Sequence, residues 1–244
     1  MGRAHEVRAA SMAKTAAIKS KINAKHSTAI YVAAKSGIPD PETNNVLKSA
    51  IEKARKDNVP ADVINRAIEK AKGGTTDAYN FVRYEGFGPN NSLFIVDCLT
   101  DNVNRTYTAV KTAFSKSNGN LGENGTVTYM FGNYSIFQFE GYSVDEIMET
   151  LLEADCDIID VTKEDEMLEV LAEPTEYGKV RDTLYAKYKD IKFEKDETVW
   201  IPNHYVELTD ENDIKNFNKL MDTLDELEDV QTIYFNVSNL RSEE

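Results

Sequence analysis

The chain has 244 residues, 41% of them hydrophobic and 29% charged, and a net charge of −14. That length suits two or three compact units, and the composition is that of a folded protein without low-complexity runs. Two cysteines are too few for a disulfide framework or a multi-cysteine zinc site, and no apolar run reaches the roughly 20 residues of a membrane span, so a cytoplasmic protein with no membrane partner is expected.

The charge is divided unevenly. Residues 1–74 hold 14 Lys and Arg against 7 Asp and Glu, a balance of +7, while the remaining 170 residues carry −21. A basic element attached to an acidic body points to a polyanion partner at the basic end.

Residues 12–35 are good helix formers, with Ile18, Ile22, Ala29, Ile30 and Ala33 spaced among lysines. Ser36-Gly37 ends that segment. Asp40 is then expected to cap a second helix, with Pro41 in its first turn and Leu47, Ala50, Ile51 and Ala54 along one face. After Asn58 and Pro60 the same pattern returns in Val63, Ile64, Ala67, Ile68 and Ala71, and Gly73-Gly74 marks the stop. From Tyr79 the period changes to two. A hairpin turns at Gly88-Pro89-Asn90-Asn91, a helix runs from Asp101 or Asn102 to near Asn118, and a strand is expected over 126–131.

A second cycle, β-α-β-β-α-β, occupies 135–193 and has the split-βαβ or ferredoxin-like order. Strands at 205–208 and 232–237 flanking a helix over 210–228 then need a partner sheet, which the incomplete β-β-α-β unit at 79–131 supplies. The expected architecture is therefore α+β with three domains: a basic helical domain over 1–76, and two ferredoxin-like α/β sandwiches. One sandwich comprises 77–131 with 203–240, and the other, 132–202, is inserted in it.

No residue pattern supports an enzyme, and neither a cofactor nor a metal is expected. His5, His26 and His204 are scattered, with no cysteine beside any of them. The runs around Asp145-Glu146, Glu164-Asp165-Glu166 and 222–229 read as solvated acidic faces. Gly119, Gly122 and Gly125 lack the Lys-Ser/Thr of a phosphate loop and read as a helix-to-strand connection. The basic end is more informative. Lys14, Lys21 and Lys25 are spaced by seven and four along one helix face, Lys19 lies to the side, and Arg3 and Arg8 extend into an arm before the helix. Such a face can track a phosphate backbone in a salt-sensitive, sequence-blind way; the alternative is a solvated helix face. Asn102, Asn104 and Arg105 form a secondary candidate, where helix N–H groups and a guanidinium could hold a phosphate, or where the asparagines simply cap the helix.

Tyr84-Glu85-Gly86-Phe87-Gly88-Pro89, then Asp101-Asn102-Val103-Asn104-Arg105-Thr106, then Gly119-Asn120-Leu121-Gly122 leading into Val127-Thr128-Tyr129-Met130-Phe131, occur in order. Together with Asp40-Pro41-Glu42-Thr43-Asn44 they make the chain resemble the YebC/PmpR family, especially its YeeN-like branch, over essentially its whole length. The resemblance implies a three-domain cytoplasmic protein that binds nucleic acid. Some members are described as transcriptional regulators on DNA, others as translation factors that relieve ribosome stalling. The family's opening Lys-Trp pair is absent, since Arg3-Ala4-His5-Glu6 holds no tryptophan. The expected function is a non-enzymatic DNA-binding regulator. A factor acting on ribosomal RNA is the alternative, and a metal- or nucleotide-dependent enzyme a more distant one. The acidic domains are left to a protein partner or to solubility.

Overall fold

A computed structural model describes residues 3–73 and 79–240, with residues 3–17 given by backbone alone. Its first helix, α1 (Arg3–Lys35), begins at Arg3, so Arg3 and Arg8 lie on the helix and not in an arm before it. Helix α2 (Asn45–Lys56) starts later than expected because its cap is Asn44 and not Asp40. The Asn44 Oδ1 accepts the Leu47 N–H at 3.0 Å, while its amide nitrogen donates to the carbonyls of Ala33 and Ile38 at 2.9 and 3.0 Å. One side chain thus caps α2 and closes the end of α1, and Asp40 organises only the turn before it. Helix α3 (Ala61–Lys72) completes the module. Ile30, Tyr31, Ala33 and Ala34 of α1 meet Leu47, Ile51 and Ala54 of α2 and Ile64, Ala67, Ile68 and Ala71 of α3 in an apolar core.

Strands β1 (Asn80–Phe87) and β2 (Leu93–Thr100) form the hairpin, with Asn90 and Asn91 at positive φ in its turn. Helix α4 (Val103–Lys116) follows, and the two-residue β3 (Asn120–Leu121) returns beside Phe87 and Gly86. The strand expected over 126–131 is replaced by a turn and a short 3₁₀ segment. Glu85 supplies the reason: its buried carboxylate accepts the N–H groups of Gly125 and Val127 at 2.7 and 2.6 Å, so those donors go to a side chain and not to a ladder.

The chain then builds the second sheet from β4 (Phe131–Glu140), β5 (Ile158–Glu164), β6 (Met167–Ala172) and β7 (Phe193–Pro202), with helices α5 (Val144–Glu153) and α6 (Tyr177–Lys187) between them. Its order, β5-β6-β4-β7 with every neighbouring pair antiparallel, is the split-βαβ arrangement. Phe137, Phe139, Leu168 and Val170 from the sheet and Ile147, Leu151, Val180 and Leu184 from the helices have no exposed surface.

After this insertion α7 (Glu211–Asp225) is capped by Asp210, and β8 (Val230–Phe235) pairs with β2, giving the first sheet the order β3-β1-β2-β8. No strand forms over 205–208 beyond a single bridging residue, because the Asn239 amide takes both backbone groups of the buried Leu208, at 3.0 and 2.8 Å. Phe94 centres this core, with its ring 5.6–6.2 Å from those of Phe114, Phe217 and Phe235. The structure thus divides into two compact units, one of Met1–Val127 with Glu207–Glu244 and one of Thr128–Val206. The fold is a mixed α/β one, with N-terminal helices and two antiparallel sheets. Among the described residues no helix is long and apolar enough to cross a membrane.

Candidate nucleic-acid interface

Helix propensity makes α1 a long rod. Its last six residues, from Ile30, anchor α1 in the apolar core with Ile22 partly buried against it, and the candidate lysines lie before that anchor on the rest of the helix. Lys19 is exposed, whereas Lys21 and Lys25 are half-buried. Burial pushes the Lys25 ammonium below its ordinary range, Asp225 opposes that shift, and the like charge of Lys21 adds to it. The spacing of four therefore does bring Lys21 and Lys25 within each other's field. The side chains of Arg3, Arg8 and Lys14 lie outside the described residues. Sequence reasoning passed over a second basic set: Lys53, Arg55 and Lys56 in the last turn of α2, all exposed. The His26 Nε2, 2.5 Å from the Asp57 Oδ2, ties α1 to that same end of α2.

The secondary candidate is built differently from an empty phosphate cradle. Asn102 caps α4 by accepting the Arg105 N–H at 3.1 Å, and Asn104 is exposed. The Arg105 guanidinium lies 2.8 Å from the Asp101 carboxylate and 2.9 Å from both oxygens of Asp229. The Thr106 hydroxyl is 2.6 Å from Asp229 and 2.8 Å from the Thr100 hydroxyl, and the Asp229 carbonyl accepts the Leu99 N–H. One guanidinium between two carboxylates leaves a net negative site, and an arriving phosphate would have to displace Asp229. The motif joins the start of α4 to the approach to β8.

The glycines of the first sheet are packing positions. A Cβ on Gly86 would sit 2.6 Å from the Phe114 ring, one on Gly88 2.5 Å from Phe94, and one on Gly119 2.6 Å from the Phe87 carbonyl oxygen. Strand alternation places Glu85 on the sheet face away from α4. It is 3% exposed. Beside it Arg83 makes a two-pronged pair with Asp97 directly across the strands, at 2.6 and 2.8 Å.

These motif residues share their order with a known family. The model of the TACO1/YebC protein N-terminal domain matches residues 3–74, and that of the TACO1/YebC second and third domain matches residues 79–237. The chain belongs to the TACO1/YebC family. A probable transcriptional regulatory protein of Alteromonas mediterranea is 49% identical over 97% of this chain and 98% of its own. One of Acholeplasma laidlawii is 46% identical with the same coverage. The crystal structure of a conserved hypothetical protein from Aquifex aeolicus superposes with a TM-score of 0.73 at 33% identity, covering 91% of this chain and 93% of that one. In this TACO1/YebC chain, then, the motif segments from Tyr84 and from Asp101 carry closure of the first sheet, while Lys19, Lys21 and Lys25 lie on α1 of the helical module.

Proposed function

We propose that this chain is a non-enzymatic, cytoplasmic regulatory factor that binds nucleic acid, DNA in the first instance, through the lysines of α1. The charge division carries the reading: +7 on residues 1–74 against −21 on the remainder favours phosphate contact at the helical module. Exposed Lys19 and the basic last turn of α2 add to it, as does the regulatory name borne by the relatives. Each phosphate neutralised releases counterions, so binding weakens steeply with salt and discriminates little between sequences.

The test is a mobility-shift titration of the full chain on mixed-sequence duplex DNA at several salt concentrations, beside a variant with Lys14, Lys19 and Lys21 changed to Glu. The native chain should bind, and the variant should lose affinity with a log–log salt slope shallower by roughly 2 to 3. Undiminished binding by the variant overturns the basic-helix site. Sequencing of the nucleic acid that accompanies the protein from a low-salt lysate separates the targets, and ribosomal RNA in place of DNA overturns the DNA reading in favour of a translation factor.

A further inference from the structure

Between Lys21 and Ala29 every residue of α1 is half-buried, although the apolar core of the helical module takes only Ile22 from this stretch. The other covering surface is the first sandwich. Ala24 and Thr28 line a cleft of about 490 Å³ together with Arg105, Glu226, Glu228 and Asp229. Tyr79, just before β1, also lines the cleft and stands edge-on to Tyr31 of α1, with ring centroids 5.7 Å apart, which holds the helix beside the sandwich.

Ala24 and Thr28 are uncharged, but Lys21 and Lys25 stand three residues before them on α1, whereas the side formed by 226–229 is acidic. Asp222, Asp225, Glu226, Glu228 and Asp229 place five carboxylates within eight residues at the end of α7. That end also carries the negative pole of the helix dipole, and its last turn holds no basic residue of its own. Arg105 already engages Asp229, and the further cation near this end comes from α1: Lys25 feels the charge of Asp225 and stands four residues after Lys21. These are two of the lysines that the proposed function assigns to phosphate.

We infer that the acidic end of α7 is an intramolecular competitor for nucleic acid, masking Lys21 and Lys25 on α1 until α1 is released from the cleft. The inference rests on the nucleic-acid reading for its consequence and on the cleft for its contact. While α1 is docked, phosphates reach Lys19 and the lysines before it, and the full contact set becomes available only in the released state. Apparent affinity is then reduced by the fraction of molecules released.

Two measurements on the full chain test this. The first is the rate of lysine acylation by an N-hydroxysuccinimide ester, read residue by residue by mass spectrometry without nucleic acid. Lys25 should label at least tenfold more slowly than Lys19, and the gap should shrink when Asp225→Asn, Glu226→Gln and Glu228→Gln are combined. Equal labelling of Lys19 and Lys25 in the native chain overturns the masking contact whatever the protein binds.

The second is affinity for mixed-sequence duplex DNA. The α7 triple variant should bind about tenfold more tightly, as expected when a minor released state becomes dominant. A control with Glu164→Gln, Asp165→Asn and Glu166→Gln, in the other compact unit, makes the same change in net charge and should gain much less. An equal gain in both variants overturns competition in favour of general charge repulsion. No binding by any variant, with Lys25 still protected, overturns the nucleic-acid reading and the competition with it, and leaves the contact as a structural one.

Discussion

The helical module and the first sandwich bury different things. Among the described residues of α1, α2 and α3 every fully buried side chain is apolar, apart from the hydroxyl of Tyr31, and alanine supplies much of the surface. The sandwich buries Glu85, Asp97, Thr100, Thr106 and Asn236 along with its phenylalanines. The helices follow one another closely in sequence and close on themselves with local contacts. The sandwich must hold a sheet whose last strand arrives after an insertion, and it does so with directed polar ties: Leu93 N–H to the Asn236 side chain, Leu208 to Asn239, and Arg105 and Thr106 to Asp229. Charge in the helical module therefore stays outside its core, whereas the charged motif residues of the sandwich are occupied in holding it closed.

The strongest way to break this contrast is at Phe94. Truncation to Ala removes the ring shared by α4, α7 and β8 and should cost about 3–5 kcal/mol, whereas Ile30→Val in the helical core should cost about 0.5–1.5 kcal/mol. Hydrogen exchange read by mass spectrometry localises the loss. Protection should fall across β1, β2, α7 and β8 in the Phe94 variant while β4–β7 keep theirs, and a uniform fall would contradict separate cores. Next in size is Glu85→Gln. The amide can accept one of the two N–H groups at Gly125 and Val127 but presents a donor to the other, for a cost of about 1–3 kcal/mol in urea denaturation. An unchanged midpoint would mean that the 122–127 turn is held by something other than this carboxylate.

What the sequence disclosed follows the range of each signal. Apolar periodicity is local, and it places Leu47, Ile51 and Ala54 on the buried face of α2 and Ile64, Ala67, Ile68 and Ala71 on that of α3. The β-α-β-β-α-β order likewise announces the inserted sheet. Where the reading departs from the structure, a distant side chain has taken a backbone group or a charge. Glu85 removes the strand at 126–131, Asn239 the one at 205–208, and Asn44 outcompetes Asp40 as a cap because it also serves the end of α1. The partner of Arg105 is Asp229, 124 residues away in a run of carboxylates that reads as a solvated face. Lys25 shows the same limit at the candidate site, since spacing along a helix identifies which lysines share a side but not what that side meets.

The smallest expected effect is alkaline. Cys98 lies on β2 with no exposed surface, and burial, reinforced by Asp229 and Asp97 and opposed by Lys25, pushes its thiol up to about 12. Because the folded value lies above the unfolded one, the unfolded chain releases this proton first as pH rises. The stability attached to the protonated thiol is present below about pH 9 and is lost between there and about pH 12. Urea midpoints measured from pH 8 to 10.5 should therefore fall more steeply for the native chain than for Cys98→Ala, whose packing loss is a constant offset across that range. Lys25 works in the opposite direction, since its folded value lies below 10.5 and its deprotonation favours the docked helix as pH approaches that point. Lys25→Met combined with Cys98→Ala should leave a midpoint flatter in pH than either single variant alone gives. If Cys98→Ala does not flatten the fall seen for the native chain, or Lys25→Met does not steepen it, the two groups do not titrate in opposite directions.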